Sequence, residues 1–237
     1  MKRTTLYIIL LILLLPAGMR AQEVGISAGF GMSAQRLDDL KALQRYVTSL
    51  EVVGLETVSS FPEYAMTSVS LYYQLYESIR IGAGYVFTST GARSNYTDYS
   101  GEISWDILAN SHRLGAFLSY AVLDGERYDL SVYGRVDANI SRVTLSRTIY
   151  VMGYGTRQNE KYGGVKAGFT AGTEFLWHFR DFSLGVDGGY MLDLPASLSS
   201  LDSGEDLTIP SGGAPGVITA DWTGWRAQAK AIIWLHF

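Results

Sequence analysis

The amino-acid sequence predicts an all-β protein, an eight-stranded antiparallel transmembrane up-and-down β-barrel with a short helix in its first extracellular loop. Three observations support this fold class. Apolar and polar side chains alternate with a period of two in eight segments. Short and long connections between these segments alternate strictly, and the last segment has one apolar face and stops on the aromatic Phe237. A barrel that turns its apolar face to lipid requires this pattern.

Residues 1–21 are predicted to be a secretory signal peptide, and residues 22–237 are predicted to form one barrel domain. Lys2 and Arg3 precede an apolar run from Leu6 to Leu15, and small residues lead to a cleavage site after Ala21. This apolar run is shorter than the roughly 20 residues that a membrane-spanning helix needs. A signal peptide is therefore favoured, and an uncleaved membrane anchor is the alternative interpretation. The sequence contains no Cys, which excludes disulfides, thiolate metal sites and a lipid-modified Cys.

The eight predicted strands follow one another with distinct turn signals. In the fifth strand, Leu130, Val132 and Val136 alternate with Asp129 and Arg135, and an Asp-Gly pair before it is a strong hairpin signal. The strands are predicted at residues 24–32, 65–76, 79–89, 111–123, 128–143, 164–179, 182–192 and 222–237. Short turns are predicted at 77–78, 124–126 and 180–181, and long loops at 33–64, 90–110, 144–163 and 193–221. This arrangement places the turns and both termini in the periplasm and the loops outside the cell.

Charged residues recur on the parity opposite the apolar one, which predicts that they line the barrel interior. An eight-stranded barrel is only just wide enough for side chains, and charges in that space need partners to offset their desolvation. We therefore expect a lumen filled by salt bridges, with a narrow porin-like channel as the alternative. The predicted lumen residues are Arg80, Arg113, Asp129, Arg135, Asp137, Lys166, Glu174, Asp187, Arg226 and Lys230.

The first long loop contains apolar residues at helical spacing, namely Leu37, Leu40, Leu43, Val47 and Leu50. A short amphipathic helix must cover this apolar side. Two interpretations follow: the helix is a lid over the barrel mouth, or it docks a partner or the outer leaflet.

No catalytic, metal or cofactor site is predicted. Catalysis needs a nucleophile, a base and an orienting acid within reach, and His112, His178 and His236 are the three imidazoles of the sequence. His112 follows Ser111, but strand alternation directs the two side chains to opposite faces. A lipid A-modifying enzyme therefore remains a second alternative to a non-enzymatic role. The net charge of −4 with dispersed cations argues against nucleic acid as a partner.

The chain resembles the small eight-stranded outer-membrane β-barrel proteins of Gram-negative bacteria, and most closely the family common in Bacteroidetes. The strand rhythm, the Phe237 end and the segment Tyr96–Glu102 carry the resemblance. It implies a monomer in the cell outer membrane, in contact with membrane lipids and lipopolysaccharide. It also implies a structural or adhesion role, with an extracellular partner held by the loops. Ile233, Leu235 and Phe237 would then be the signal by which the barrel-assembly machinery recognises the C-terminal strand.

Overall fold

The computed structural model describes residues 23–211 and 214–236. The predicted signal peptide and Phe237 lie outside this part of the chain. The elements in chain order are β1 (Glu23–Gln35), α1 (Asp38–Ser49), β2 (Glu56–Ser60), β3 (Tyr64–Tyr76), β4 (Ile79–Asp98), β5 (Gly101–Asp124), β6 (Tyr128–Val151), β7 (Tyr154–His178), β8 (Phe182–Asp193), β9 (Ser199–Ser200), β10 (Thr208–Ser211), β11 (Ala214–Val217) and β12 (Gly224–His236).

Eight of these strands form a closed antiparallel ring, which confirms the predicted fold class. The ring runs β1-β3-β4-β5-β6-β7-β8-β12, and β12 pairs with β1 over the full length of both strands. Three short turns lie at one end of the barrel, the turn end, with Glu23 and His236. The opposite end, the loop end, carries α1 and the long connection from β8 to β12.

The barrel is apolar outside and polar inside. Val132 and Val136 are 46% and 55% exposed, whereas Asp129, Arg135 and Asp137 beside them on β6 are buried. A soluble sheet would bury the valines. This distribution is the one that a transmembrane barrel requires, because its outer surface meets hydrocarbon. Among the described residues, no helix is long and apolar enough to cross a bilayer.

The prediction of long loops at 90–110 and 144–163 is wrong. β4, β5, β6 and β7 continue through these residues and end in two-residue turns at 99–100 and 152–153. The four extensions form one sheet, here called the wall, which rises beyond the rim at the loop end. Its nine residues on β4, 90–98, span about 30 Å at 3.3 Å per residue.

The polarity of the strands inverts where the wall begins, and this explains the error. Within the barrel the inward side chains are polar, but in the wall Ile107, Val143 and Leu145 point inward and are buried. Their neighbours Asp106 and Thr144 point outward. The two-residue alternation therefore continues through the wall, but with the apolar and polar faces exchanged. A strand prediction that requires outward apolar residues consequently stops at the rim.

Helix α1 packs inside the wall and covers the loop end of the barrel. Its apolar residues Leu40, Leu43 and Val47 join one buried cluster with the inner face of the wall and with the connection that follows β8. Asp39 near its start accepts hydrogen bonds from the backbone N–H and the hydroxyl of Thr219 at 3.0 and 2.6 Å. The helix therefore lies as a lid, while Leu50 just beyond it is exposed.

Candidate functional site: closed lumen and protruding wall

The ten charged residues predicted to line the barrel all lie inside it. None is more than 8% exposed. Each has an oppositely charged partner at 3.3 Å or less. The partners divide into groups that follow one another along the barrel axis.

The group nearest the turn end is centred on Asp129. Arg80 contacts its Oδ2 at 2.8 Å, and the hydroxyl of Ser131 donates to its Oδ1 at 3.1 Å. His178 reaches the same carboxylate through Nε2 at 2.8 Å. The guanidinium of Arg80 also lies 3.6 Å from Glu174, which links this group to the middle of the lumen.

The middle group joins two carboxylates through Lys230. Its ammonium contacts Glu174 and lies 3.1 Å from Asp187, and it donates to the hydroxyl of Tyr72 at 2.9 Å. Arg226 completes the group at 3.3 Å from Asp187. Beyond it, Arg135 donates to Asp137 on its own strand at 2.5 Å and to the carbonyl of Gly84 at 2.8 Å.

The group nearest the loop end depends on Asp193, which the sequence analysis missed. Arg113 contacts its Oδ1 at 2.7 Å, and Lys166 contacts its Oδ2 at 2.9 Å. Asn139 donates to the same Oδ2 at 2.9 Å. The side chain of Asp193 is 0% exposed. The last long loop was predicted to begin at this residue, whereas Asp193 is the final residue of β8 and shares the inward parity of Asp187. That parity is the sequence signal that identifies it.

Little free volume remains between these side chains. The cavity in the middle of the lumen measures about 20 Å³, which accommodates about one water molecule. It is lined by Tyr72, Phe117, Tyr133, Arg135, Glu174 and Lys230, among others. Trp222 closes the loop end of the lumen, where its indole N–H donates to Ser141 at 3.0 Å. Trp222 is 0% exposed.

A series of polar contacts at the turn end joins His178, one of the three imidazoles of the sequence, to neighbouring strands, and the sequence alone did not reveal it. The indole of Trp234 donates to Ser183 Oγ at 2.8 Å, and Ser183 Oγ lies 2.8 Å from His178 Nδ1. Because the carboxylate of Asp129 can only accept, His178 Nε2 donates to it, and in the neutral imidazole Nδ1 accepts from the hydroxyl of Ser183. The order serine, histidine, aspartate is that of a hydrolase triad, but Ser183 is fully buried beneath Trp234. A substrate carbonyl has no access to the hydroxyl of Ser183, so we assign this series of hydrogen bonds to the lumen network.

The second imidazole considered for catalysis faces away from its serine. His112 Nδ1 lies 2.7 Å from the hydroxyl of Tyr85 on the outer surface. Ser111 points into the lumen and donates to Asn139 at 2.7 Å. The two side chains lie on opposite sides of the sheet, so they do not form a nucleophile–base pair.

The predicted assembly-signal residues within the described chain face outward. Ile233 and Leu235 are exposed on β12 near the turn end. Trp177, Phe179 and Phe182 surround the same end of the barrel, and the rings of the two phenylalanines stack at 4.5 Å. Aromatic girdles of this kind lie at membrane surfaces.

The far end of the wall is apolar and exposed. Tyr99 is fully exposed, and Met152 and Tyr154 are 80% and 85% exposed. The two wall turns adjoin, because the N–H of Met152 donates to the carbonyl of Ser100 at 3.2 Å. Together with Tyr150, these exposed residues are here called the tip; in the β6–β7 register Tyr150 points to the outer face of the wall and Tyr154 to the inner face. The exposed area of the tip is on the order of 500 Å² at about 200 Å² per aromatic side chain.

The tip turn is also strained. Met152 and Gly153 have φ values of 49° and 88°, as a type I′ hairpin turn requires. Glycine or asparagine adopts this conformation readily, whereas methionine does so at a cost of roughly 1–2 kcal/mol. An apolar side chain is therefore held in solvent at a position where glycine or asparagine would be more stable.

These features define a transmembrane β-barrel whose lumen is occupied by ion pairs and whose wall projects beyond one rim. No protein-family model matches the chain, and no curated protein sequence matches it either. Among solved structures, the chain is similar to Neisserial surface protein A, with 11% identity, a TM-score of 0.39 and coverage of 91% of this chain and 99% of that one.

Two further solved structures are similar over nearly the whole chain. The attachment invasion locus protein of Yersinia pestis has 11% identity and a TM-score of 0.38, and 92% of this chain covers 100% of it. The outer membrane protease OmpT from Escherichia coli has 9% identity and a TM-score of 0.38, with coverage of 93% and 99%. Since these TM-scores are below 0.5, we infer no function from them. Membership of the Bacteroidetes family stays a prediction.

Proposed function

We propose that the protein is a non-enzymatic, monomeric outer-membrane barrel that presents its wall to partners outside the cell. In this proposal both termini lie in the periplasm, lipid and lipopolysaccharide surround the apolar surface, and the barrel-assembly machinery recognises the C-terminal strand. The filled lumen supports a scaffold role over a transport role. The apolar tip is the single observation that carries the proposal.

The tip supports interaction for a physical reason. Solvent-exposed apolar patches above a few hundred square ångströms are uncommon on surfaces that have no partner. Tyrosine gives large contact area with little loss of side-chain entropy on binding. Met152 occupies a strained turn, and backbone strain of this kind is often found at functional positions.

The test is attachment of cells that display the protein. A triple variant of the tip, Tyr99→Ser, Tyr150→Ser and Met152→Ser, should lose at least tenfold in attachment to an array of immobilised extracellular proteins and polysaccharides. A matched control replaces three exposed apolar residues beside α1 and β2, with Leu50→Ser, Val52→Ser and Val58→Ser, and should keep attachment.

Outer-membrane abundance and the heat-dependent gel shift of the folded barrel are measured for both variants. Equal attachment by the wild-type protein and the tip variant, at equal abundance, would contradict the proposed function. Loss of attachment in the control variant alone would move the contact surface from the tip to the loop between α1 and β2.

A further inference from the structure

The two edges of the wall differ in what covers them. On the β4 side, β2 adds a strand of the chain itself and pairs with Ala92–Asn95. On the β7 side, β9 pairs with Tyr162 and Gly163, and Leu201 donates to the carbonyl of Lys161 at 2.9 Å. Within the described residues, no strand pairs with Tyr154–Glu160 on the side away from β6. This segment is called the free edge below.

The free edge presents an ordered row of backbone groups. The carbonyl of Lys161 points away from β6, because it accepts from Leu201. Successive residues of a strand direct their N–H and C=O to alternate sides. Gly155, Arg157 and Asn159 therefore direct theirs away from β6, while Thr156 and Gln158 bond to β6. Every residue of the free edge is exposed, and its pairing with β6 contains no register shift.

Two of the usual protections of an edge strand, a proline and a bulge, are missing here, and no described strand covers it. Charge is the one protection that is present, with Arg157 on the outer face and Glu160 on the inner face. The sequence of the free edge, from Tyr154 to Glu160, contains no proline. Its seven residues offer about 23 Å of template at 3.3 Å per residue. The β2 strand on the opposite edge shows that the wall accepts an added strand in this geometry.

The charges beside the free edge specify the face of an incoming strand. Arg157 and Lys161 point to the outer face of the wall, about 13 Å apart along β7. Neither has an acidic partner within ion-pair distance among the described residues. A strand added to β7 would place alternate side chains beside them, and carboxylates there would be the complementary choice.

We propose that the free edge of β7 binds an extended polypeptide segment of a partner protein by strand addition, with acidic side chains over Arg157 and Lys161. The inference rests on the proposed function and specifies its binding mode and partner class. Main-chain hydrogen bonds to Gly155, Arg157 and Asn159 hold the segment, and the alternating carboxylates select it.

The experiment uses the refolded full-length mature chain in lipid nanodiscs and a defined probe. The probe is an eight-residue peptide of alternating glutamate and threonine with acetylated and amidated ends. Amide NMR titration should shift Gly155, Arg157 and Asn159 and leave Thr156 and Gln158 nearly unchanged. The same peptide with its backbone amides N-methylated should bind at least tenfold more weakly, as should a lysine–threonine peptide.

Matched variants separate the backbone from the side chain. Asn159→Pro removes one N–H of the free edge and should weaken the probe at least tenfold, whereas Asn159→Ala keeps the N–H and should weaken it less than threefold. Proline fits here because this N–H makes no bond to β6. Arg157→Glu should transfer the preference to the lysine–threonine peptide.

Several results would overturn the proposal: no saturable shift, equal affinity of the N-methylated peptide, or equal affinity of the proline and alanine variants. If Asn159→Pro fails to refold, the N-methylated peptide with the wild-type chain decides. Failure of the probe with loss of attachment in the tip variant would refute strand addition and leave the proposed function standing. Probe binding with unchanged attachment of the tip variant would refute the proposed function and leave strand addition standing.

Discussion

Removal of the Asp193 carboxylate should be among the most destabilising single changes in the barrel. In Asp193→Ala, the guanidinium of Arg113 and the ammonium of Lys166 lose their shared counter-ion, and Asn139 loses an acceptor. All three side chains remain buried. The change therefore leaves two cations uncompensated in a region that water scarcely reaches.

The magnitude follows from the cost of leaving a charge unpaired. Breaking a buried ion pair by removing one partner costs about 3–5 kcal/mol. We expect the upper part of that range for Asp193→Ala, because a single carboxylate serves two cations. The structure supplies a matched comparison in Arg93 and Asp106, which meet at 2.5 Å on the outer face of the wall. Arg93 is well exposed, so Asp106→Ala should cost at most about 1 kcal/mol.

Both variants can be measured by equilibrium urea unfolding of the barrel refolded into lipid vesicles, followed by tryptophan fluorescence. The free energy of unfolding should fall several times further for Asp193→Ala than for Asp106→Ala, with the same denaturant slope. Equal losses would refute the argument that burial decides the energy. An unchanged Asp193→Ala barrel would show that water or lipid headgroups reach Arg113 and Lys166.

Three further outcomes are expected. Gly82→Ala should destabilise the barrel by about 1–3 kcal/mol in the same assay, because the added Cβ would overlap backbone and aromatic atoms of neighbouring strands. Gly134→Ala is the matched control and should be neutral, because its added Cβ meets open space. The hydrogen bond from Arg147 lowers the pKa of Glu51 below its ordinary value of 4.5. The stabilisation by ionised Glu51 is therefore complete above pH 4.5, and it is lost as the pH falls through the lowered pKa. Proteolysis of the segment after α1 should accelerate at pH 3 in the wild type, and Glu51→Gln should abolish this pH dependence. Planar bilayers should show no steady current at high protein load, even when a glycine–serine linker replaces Asp38–Ser49, and stable conductance steps would refute the filled lumen.

The barrel itself could be predicted from the sequence because its physical cause is local. Each residue of β6 within the membrane faces either hydrocarbon or the lumen, and the two environments demand opposite chemistry. Val132 and Asp129 therefore reveal their positions without reference to any other strand. The helix in the first loop was predictable for the same reason, since Leu40, Leu43 and Val47 repeat at its period.

The wall could not be predicted, because its rule differs from that of the barrel. Above the rim the outer face meets water and the inner face meets α1, so the alternation of Ile107 and Asp106 is opposite to that of Val132 and Asp129. Nothing in the strand marks the height at which the environment changes. The position of the rim follows only from the pairing of all four strands with one another.

The sequence by itself determined which side chains belong inside the barrel and which outside, since a period of two and two contrasting solvents are enough to sort them. Tertiary structure alone decided which charges meet. Asp193 joins Arg113 and Lys166 because the register of β8 against β7 and the closure of the ring bring residues of β5, β7 and β8 to one level. Tertiary structure also decided that β7 keeps an unpaired edge while β4 does not, because strand pairing depends on where the connecting segments run.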